Sequence, residues 1–225
     1  MKRILILPLI LMTLLILTAC QSTEFTPDTP VIEKTVGDIV FQLRYVTEQE
    51  SRKRFGDDYN PYYNYPGKLP RKQFFVFDTT ITTMSSEVEI KLRDITISLD
   101  DRSESRARSR RTLDIDWQPY YDSDFEQAQK KANMKKTMSG DTIIVTPDQP
   151  FKAWIVFLPS ISSDFLQNIF LVPKDGPANA LIRIPAKTDS GDEGIVEIEM
   201  NMGEMAGTAA QEEATPSNTG IFEES

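Results

Sequence analysis

Four of the chain's seven tyrosines fall within Asp57–Gly67 (DDYNPYYNYPG), at Tyr59, Tyr62, Tyr63 and Tyr65, beside Pro61 and Pro66. A tyrosine ring offers a flat apolar face with a polar tip at small conformational cost, and flanking prolines reduce the freedom lost when a loop orders. Such a loop suits contact with a sugar or a protein surface. The competing reading is a long loop that folds its own tyrosines onto the domain. Tyr120 and Tyr121 would extend the patch if their loop shares an end of the fold. A second constellation gathers Arg102, Arg106, Arg108, Arg110 and Arg111 in an otherwise acidic chain. Guanidinium forks grip carboxylates and phosphates bidentately, which would suit an anionic glycan, a lipid headgroup, an acidic partner or the chain's own acidic tail. Diluted by Glu104 and by serines, the same run also reads as a solvated hairpin tip.

Catalysis is poorly served. The chain has no histidine, so His-based triads, proton shuttles and His metal sites are excluded, and it has no glycine-rich phosphate loop. Asp114 with Asp116, and Glu197 with Glu199, alternate at a spacing of roughly 7 Å on a strand, within the span a glycosidase pair needs. Alternating acids, however, mark any strand that faces water. Asp122, Asp124 and Glu126 lack the glycine spacing of an EF-hand. No catalytic residue, metal ligand or cofactor is assigned, and the chain is read as non-enzymatic. Its net charge of −9 repels phosphate, so nucleic acid is not an expected partner.

The one cysteine, Cys20, cannot form an internal disulfide, and its setting gives it another use. Lys2 and Arg3 precede an apolar run from Ile4 to Leu17, then Leu17-Thr18-Ala19-Cys20. At ~1.5 Å per residue that run reaches only ~21 Å, short of a ~30 Å hydrocarbon core, so it reads as a cleaved signal rather than a span. Leu-Thr-Ala-Cys resembles the bacterial lipobox, in which the cysteine thiol takes a lipid and the peptide is cut between Ala19 and Cys20. The resemblance implies a mature protein tethered by acyl chains to the outside of a membrane. With Gln21 after the cysteine, it implies the outer membrane in a Gram-negative cell.

The elements that must carry the tyrosines and arginines are mostly strands. Ile39, Phe41, Leu43 and Tyr45 alternate with Val40, Gln42 and Arg44, and Val88, Ile90 and Leu92 alternate with Glu89, Lys91 and Arg93. Ile95, Ile97 and Leu99 continue with opposite parity, which demands a bulge or turn at Arg93-Asp94. Leu113, Ile115 and Trp117 predict another alternating strand, as do Val196, Ile198 and Met200. Continuous apolar runs at Phe74–Thr82, Thr142–Val145, Trp154–Leu158 and Ile169–Val172 predict central strands, and Ala180–Ile184 completes the set. The one predicted helix covers about 124–137, with Ser123 and Glu126 in capping-box spacing and Phe125, Ala128 and Ala132 as its inner face. An all-β antiparallel sandwich with a single short inserted helix follows.

Phe74-Phe75-Val76-Phe77-Asp78-Thr79-Thr80-Ile81, Ser85–Leu99 ending in Asp100-Asp101, and Asp148–Leu158 before Pro159 together resemble the telokin-like immunoglobulin-type domains of many bacterial lipoproteins. That resemblance implies an immunoglobulin-like sandwich and carries no catalytic residues. Thr83-Met84-Ser85-Ser86 stands where such domains usually place an Asn, and the excursion from Arg102 to Gly140 exceeds the family's loop. The expected organisation is a leader at 1–19, a lipidated tether at 20–30, a sandwich at 31–200 and an acidic disordered tail at 201–225. The expected role is a lipid-anchored envelope module that binds an envelope protein or glycan. The different expectation is an assembly lipoprotein docking through a sheet edge or its tail.

Overall fold

Every residue from Ile39 to Val46 of the second strand is at least half-buried, an early sign that this sheet is covered on both faces. The computed structural model of the chain describes residues 29–64, 68–69, 72–100, 104–159, 179–188 and 193–202. The expectations for Ala19, Cys20, Tyr65, Arg102, Ile169–Val172, the leader and the tail beyond Met202 lie outside those residues.

Two antiparallel sheets make the frame. β1 (Val31–Val36) and β2 (Ile39–Val46) form a hairpin across Gly37-Asp38, where Gly37 takes a φ of 62° that a side chain would disfavour. β3 (Phe75–Thr83) pairs with β2 and β8 (Phe151–Phe157), giving the order β1-β2-β3-β8. The second sheet contains β4 (Val88–Lys91), β5 (Thr96–Leu99), β6 (Ser105–Arg106), β7 (Thr142–Val145), β9 (Asn179–Thr188) and β10 (Glu193–Asn201). Its order is β6-β5-β9-β4-β7, with β10 also on β9. Phe41, Leu43, Phe77, Ile81 and Phe157 of the first sheet share one core with Ile90, Ile97, Ile182, Ile184 and Ile198 of the second. Each such side chain contributes about 1.5–3 kcal/mol by leaving water. The expected change of parity occurs in a 3-10 turn at Leu92–Asp94, so that Ile90 and Ile95 both point inward.

A third layer corrects the single-helix expectation. α1 (Glu48–Phe55), α2 (Arg110–Trp117) and α3 (Asp124–Thr137) build a second core with the far face of the first sheet, uniting Val46, Val76, Trp154 and Val156 with Tyr62, Leu113, Trp117 and Met134. Leu113–Trp117 is therefore helix, not strand. The Ser109 hydroxyl accepts from the N–H of Thr112, which nucleates a first turn. Leu113 and Trp117, four apart, are fully buried while Ile115 is 54% exposed, which is helical and not period-two burial.

The same layer explains the continuous apolar runs. β8 lies at the end of its sheet, not its centre, and Trp154–Leu158 is apolar throughout because core covers both faces. Thr142–Val145 forms terminal strand β7 and alternates in burial. Both chain boundaries also shift. Thr29, expected in the tether, is buried and its hydroxyl donates to the Tyr45 carbonyl. Asn201, expected in the tail, completes β10, and Met202 is buried in the sandwich core.

Candidate functional site

The tyrosine loop lies between α1 and α3, and its backbone is held from below. α3 starts at Ser123, whose hydroxyl accepts from the Glu126 N–H at 3.1 Å, while the Glu126 carboxylate reaches back to the Asp122 N–H at 2.8 Å. This is the expected capping pair with its return bond one residue earlier. The inner face of α3, however, is not Phe125, Ala128 and Ala132, all of which are exposed. It is the polar stripe Glu126, Lys130, Asn133 and Thr137, all buried.

Lys130 and Asn133 face inward because they meet backbone acceptors, while Glu126 accepts from Lys68 and the Asp122 N–H, and Thr137 bonds the Tyr62 hydroxyl. Asn133 Nδ2 donates to the Tyr59 carbonyl at 2.9 Å, Lys130 Nζ to the Asn60 carbonyl at 3.1 Å, and Trp117 Nε1 of α2 to the Pro61 carbonyl at 3.0 Å. Three successive carbonyls are thus each satisfied by a side chain, which removes the cost of burying them unpaired. Asn60 fixes the turn further, donating from Nδ2 to Ser51 Oγ at 3.0 Å and accepting from the Tyr62 N–H at 2.9 Å.

The four tyrosines have separate fates. Tyr62 is 3% exposed, its hydroxyl bonded to Thr137 and its ring 5.2 Å from that of Trp154. It belongs to the second core, and burial raises its pKa. This corrects its assignment to a contact surface: the turn at Asn60 aims its ring at the sheet. Tyr63 is half-buried under the Arg52 guanidinium, 4.7 Å above its ring. Tyr59 stays exposed, edge-to-face with Phe125 at 5.7 Å. Tyr120 and Tyr121 pack against the second core rather than widening an exposed patch.

Tyr59 and Phe125 wall a cleft of about 340 Å³ with Asp58, Lys68, Asp122 and Glu126. Lys68 Nζ lies 2.5 Å from Asp122 and 3.4 Å from Glu126. Burial works against the Lys68 charge, but its hydrogen bond to Asp122 and the Glu126 carboxylate outweigh it and leave its pKa raised. Glu126 also lies 3.6 Å from Lys130, so one carboxylate sits between two ammonium groups. Burial draws Lys130 down to about 8, with Glu126 opposing the shift.

The arginines do not form one patch. Arg106 is exposed on β6, whereas Arg108 lies 3.4 Å from Asp116 and its N–H donates to the Val156 carbonyl of β8. Arg110 and Arg111 begin α2. Asp114 and Asp116 are helical, and they pair with Lys131 and Arg108 instead of facing each other across a cleft. A larger groove of about 660 Å³ crosses the second sheet at Lys91, Pro185 and Ile195, where β9 meets the break between β4 and β5. Its Lys187 is paired with Glu193 at 3.0 Å, and it has no aromatic wall. Sequence reading missed Phe125, Lys68 and Lys130 as site residues. The available signal was the polar spacing 126, 130, 133 and 137 on a capped helix. No family model matches the chain, and no curated protein or solved structure is significantly similar to it.

Proposed function

We propose that this chain is a lipid-anchored binding module of the bacterial cell envelope, tethered through acylated Cys20 and facing away from the cytoplasm. In a Gram-negative cell the membrane is the outer one. Its contact surface is the cleft walled by Tyr59 and Phe125, and its partner is an envelope glycan or protein. One observation carries the reading: the carbonyls of Tyr59, Asn60 and Pro61 are each bonded by a side chain of α2 or α3. A loop so held presents its exposed aromatic pair without a large ordering cost on binding. The lipobox-like Leu17-Thr18-Ala19-Cys20 supports the anchor. The two antiparallel sheets support, at the level of architecture, an immunoglobulin-type domain of the telokin-like kind.

A photo-reactive residue at Tyr59 or Phe125 in intact cells should give a discrete adduct, and one at buried Tyr62 should not. Cys20→Ser should abolish the mass of the acyl chains. An unchanged acylated mass refutes the anchor, and no adduct from the cleft refutes the contact surface. A second reading, docking into an assembly by strand addition, is favoured by β10, a nine-residue strand whose described partner is β9 alone. Adducts from Glu199 and none from Tyr59 would select it.

A further inference from the structure

Resting on that reading, we infer that the Tyr59–Phe125 cleft takes a neutral saccharide. The charge inside the cleft excludes the simpler classes. Asp58, Asp122 and Glu126 repel an anion, while Lys68, held at 2.5 Å by Asp122 and at 3.4 Å by Glu126, already occupies the position a ligand cation would seek. What remains is an interleaved set of fixed acceptors and donors. Carboxylate oxygens accept, and the Lys68 ammonium and the Ser123 hydroxyl donate. A sugar hydroxyl is both donor and acceptor and can satisfy such a set without bringing net charge.

The apolar wall supplies the other half. Tyr59 and Phe125 meet at 87° with 38% and 60% of their surface exposed, which leaves ring face free to cover the C–H side of a pyranose. An exposed phenylalanine on the outer side of a helix contributes nothing to the core beneath it, so its contact with Tyr59 serves the cleft. The volume, about 340 Å³, falls at the small end of ligand clefts, which run from ~300 to 1,000 Å³.

The test uses the full chain purified from membranes in a detergent without a sugar headgroup, probed with maltotriose, cellotriose and triacetylchitotriose. Saturation-transfer NMR should show transfer to the ring C–H protons of at least one probe. Phe125→Ala and Tyr59→Ala should each weaken that binding more than tenfold, while the urea midpoint of Phe125→Ala stays unchanged because the side chain is outside both cores. Affinity should be insensitive to salt, since no charge is screened. Transfer to none of the three probes, transfer that survives both substitutions, or binding lost at high salt would each overturn the inference. A protein adduct at Tyr59 without sugar binding would overturn the saccharide and leave the binding module standing. Loss of both would remove the module as well.

Discussion

The ammonium of Lys130 lies 3.8 Å from the centre of the Trp117 ring, in a residue only 1% exposed. The two side chains then divide the tyrosine loop, Lys130 holding the carbonyl of Asn60 and Trp117 that of Pro61. A charge is kept out of water by a ring face, a carbonyl and the neighbouring Glu126.

This arrangement gives stability a slope in alkaline solution. Lys130 titrates near 8 in the folded chain and near 10.5 when unfolded, so between those values the unfolded state holds a proton that the folded state has released. Stability therefore rises with pH across that window. Tyr45, raised to about 12 by burial and by Glu48, acts in the opposite direction, because above its ordinary 10 the unfolded chain ionises first and stability is lost. Urea midpoints should climb from about pH 7.5 to 9.5 and fall beyond 10. Lys130→Met should flatten the climb, and a flat wild-type profile would contradict the assignment.

The tyrosines of one short loop should separate by mechanism. Tyr62→Ala empties a position between Phe55 and Trp154 and should cost about 3–5 kcal/mol, whereas Tyr62→Phe loses only the Thr137 bond, at about 1 kcal/mol. Tyr63→Ala gives up the Arg52 stacking and should stay within about 1 kcal/mol. Equal urea midpoints for Tyr62→Ala and Tyr63→Ala would place Tyr62 at the surface after all.

Arg44 and Glu50 join β2 to α1 through two bonds of 2.5 and 2.7 Å, both side chains nearly buried. Glu50→Ala leaves the guanidinium with Asp78 at 3.4 Å and should cost about 3–5 kcal/mol. Arg44→Met with Glu50→Leu should recover most of that loss in the same denaturation assay. A double variant as weak as the single one would show that the pair itself, not the stranded charge, is what matters.

Asp38 gathers the turn between β3 and β4. Its Oδ2 accepts from the Ser85 hydroxyl at 2.5 Å, the Ser85 N–H at 3.0 Å and the Ser86 N–H at 3.1 Å. The Ser85 hydroxyl is the main cause, burial opposing it, of a pKa lowered to about 2 from 3.8. Its stabilisation is present above 3.8 and lost as pH falls toward 2. A carboxyl 13C titration should give a midpoint near 2, and Ser85→Ala should move it upward; an ordinary midpoint would deny the cluster.

The sandwich was legible because its signal is local. Alternation in β2, β4 and β10 and the parity change before Ile95 can be read from neighbouring residues. The helical layer was not, since its inner surface breaks the rule that apolar residues face in. Lys130 and Asn133 are buried because the carbonyls of Asn60 and Tyr59, some seventy positions earlier, await them, while Glu126 is buried against Lys68 and Lys130, and Thr137 against the Tyr62 hydroxyl. Asp114 and Asp116 flanking Ile115 imitated a strand because Leu113 and Trp117 were read at period two rather than four. Tyr59 is recognisable by type as a candidate contact residue, but the spacing of Phe125 with Ala128 and Ala132 points it inward, whereas it is exposed.

The helical layer is assembled from two excursions whose bonds join residues 56 and 75 positions apart, Pro61 to Trp117 and Tyr62 to Thr137. Neither excursion can close its core until β2, β3 and β8 have brought Val46, Val76 and Trp154 together. Closure of such long loops comes late in folding, and what forms last is held by the smaller core. The layer should then detach as a unit before the sandwich opens, its amides exchanging hydrogen through partial opening while those of β2 and β3 wait for global unfolding. A cleft built on that layer would be lost in a chain that is still, by every measure of its sheets, folded.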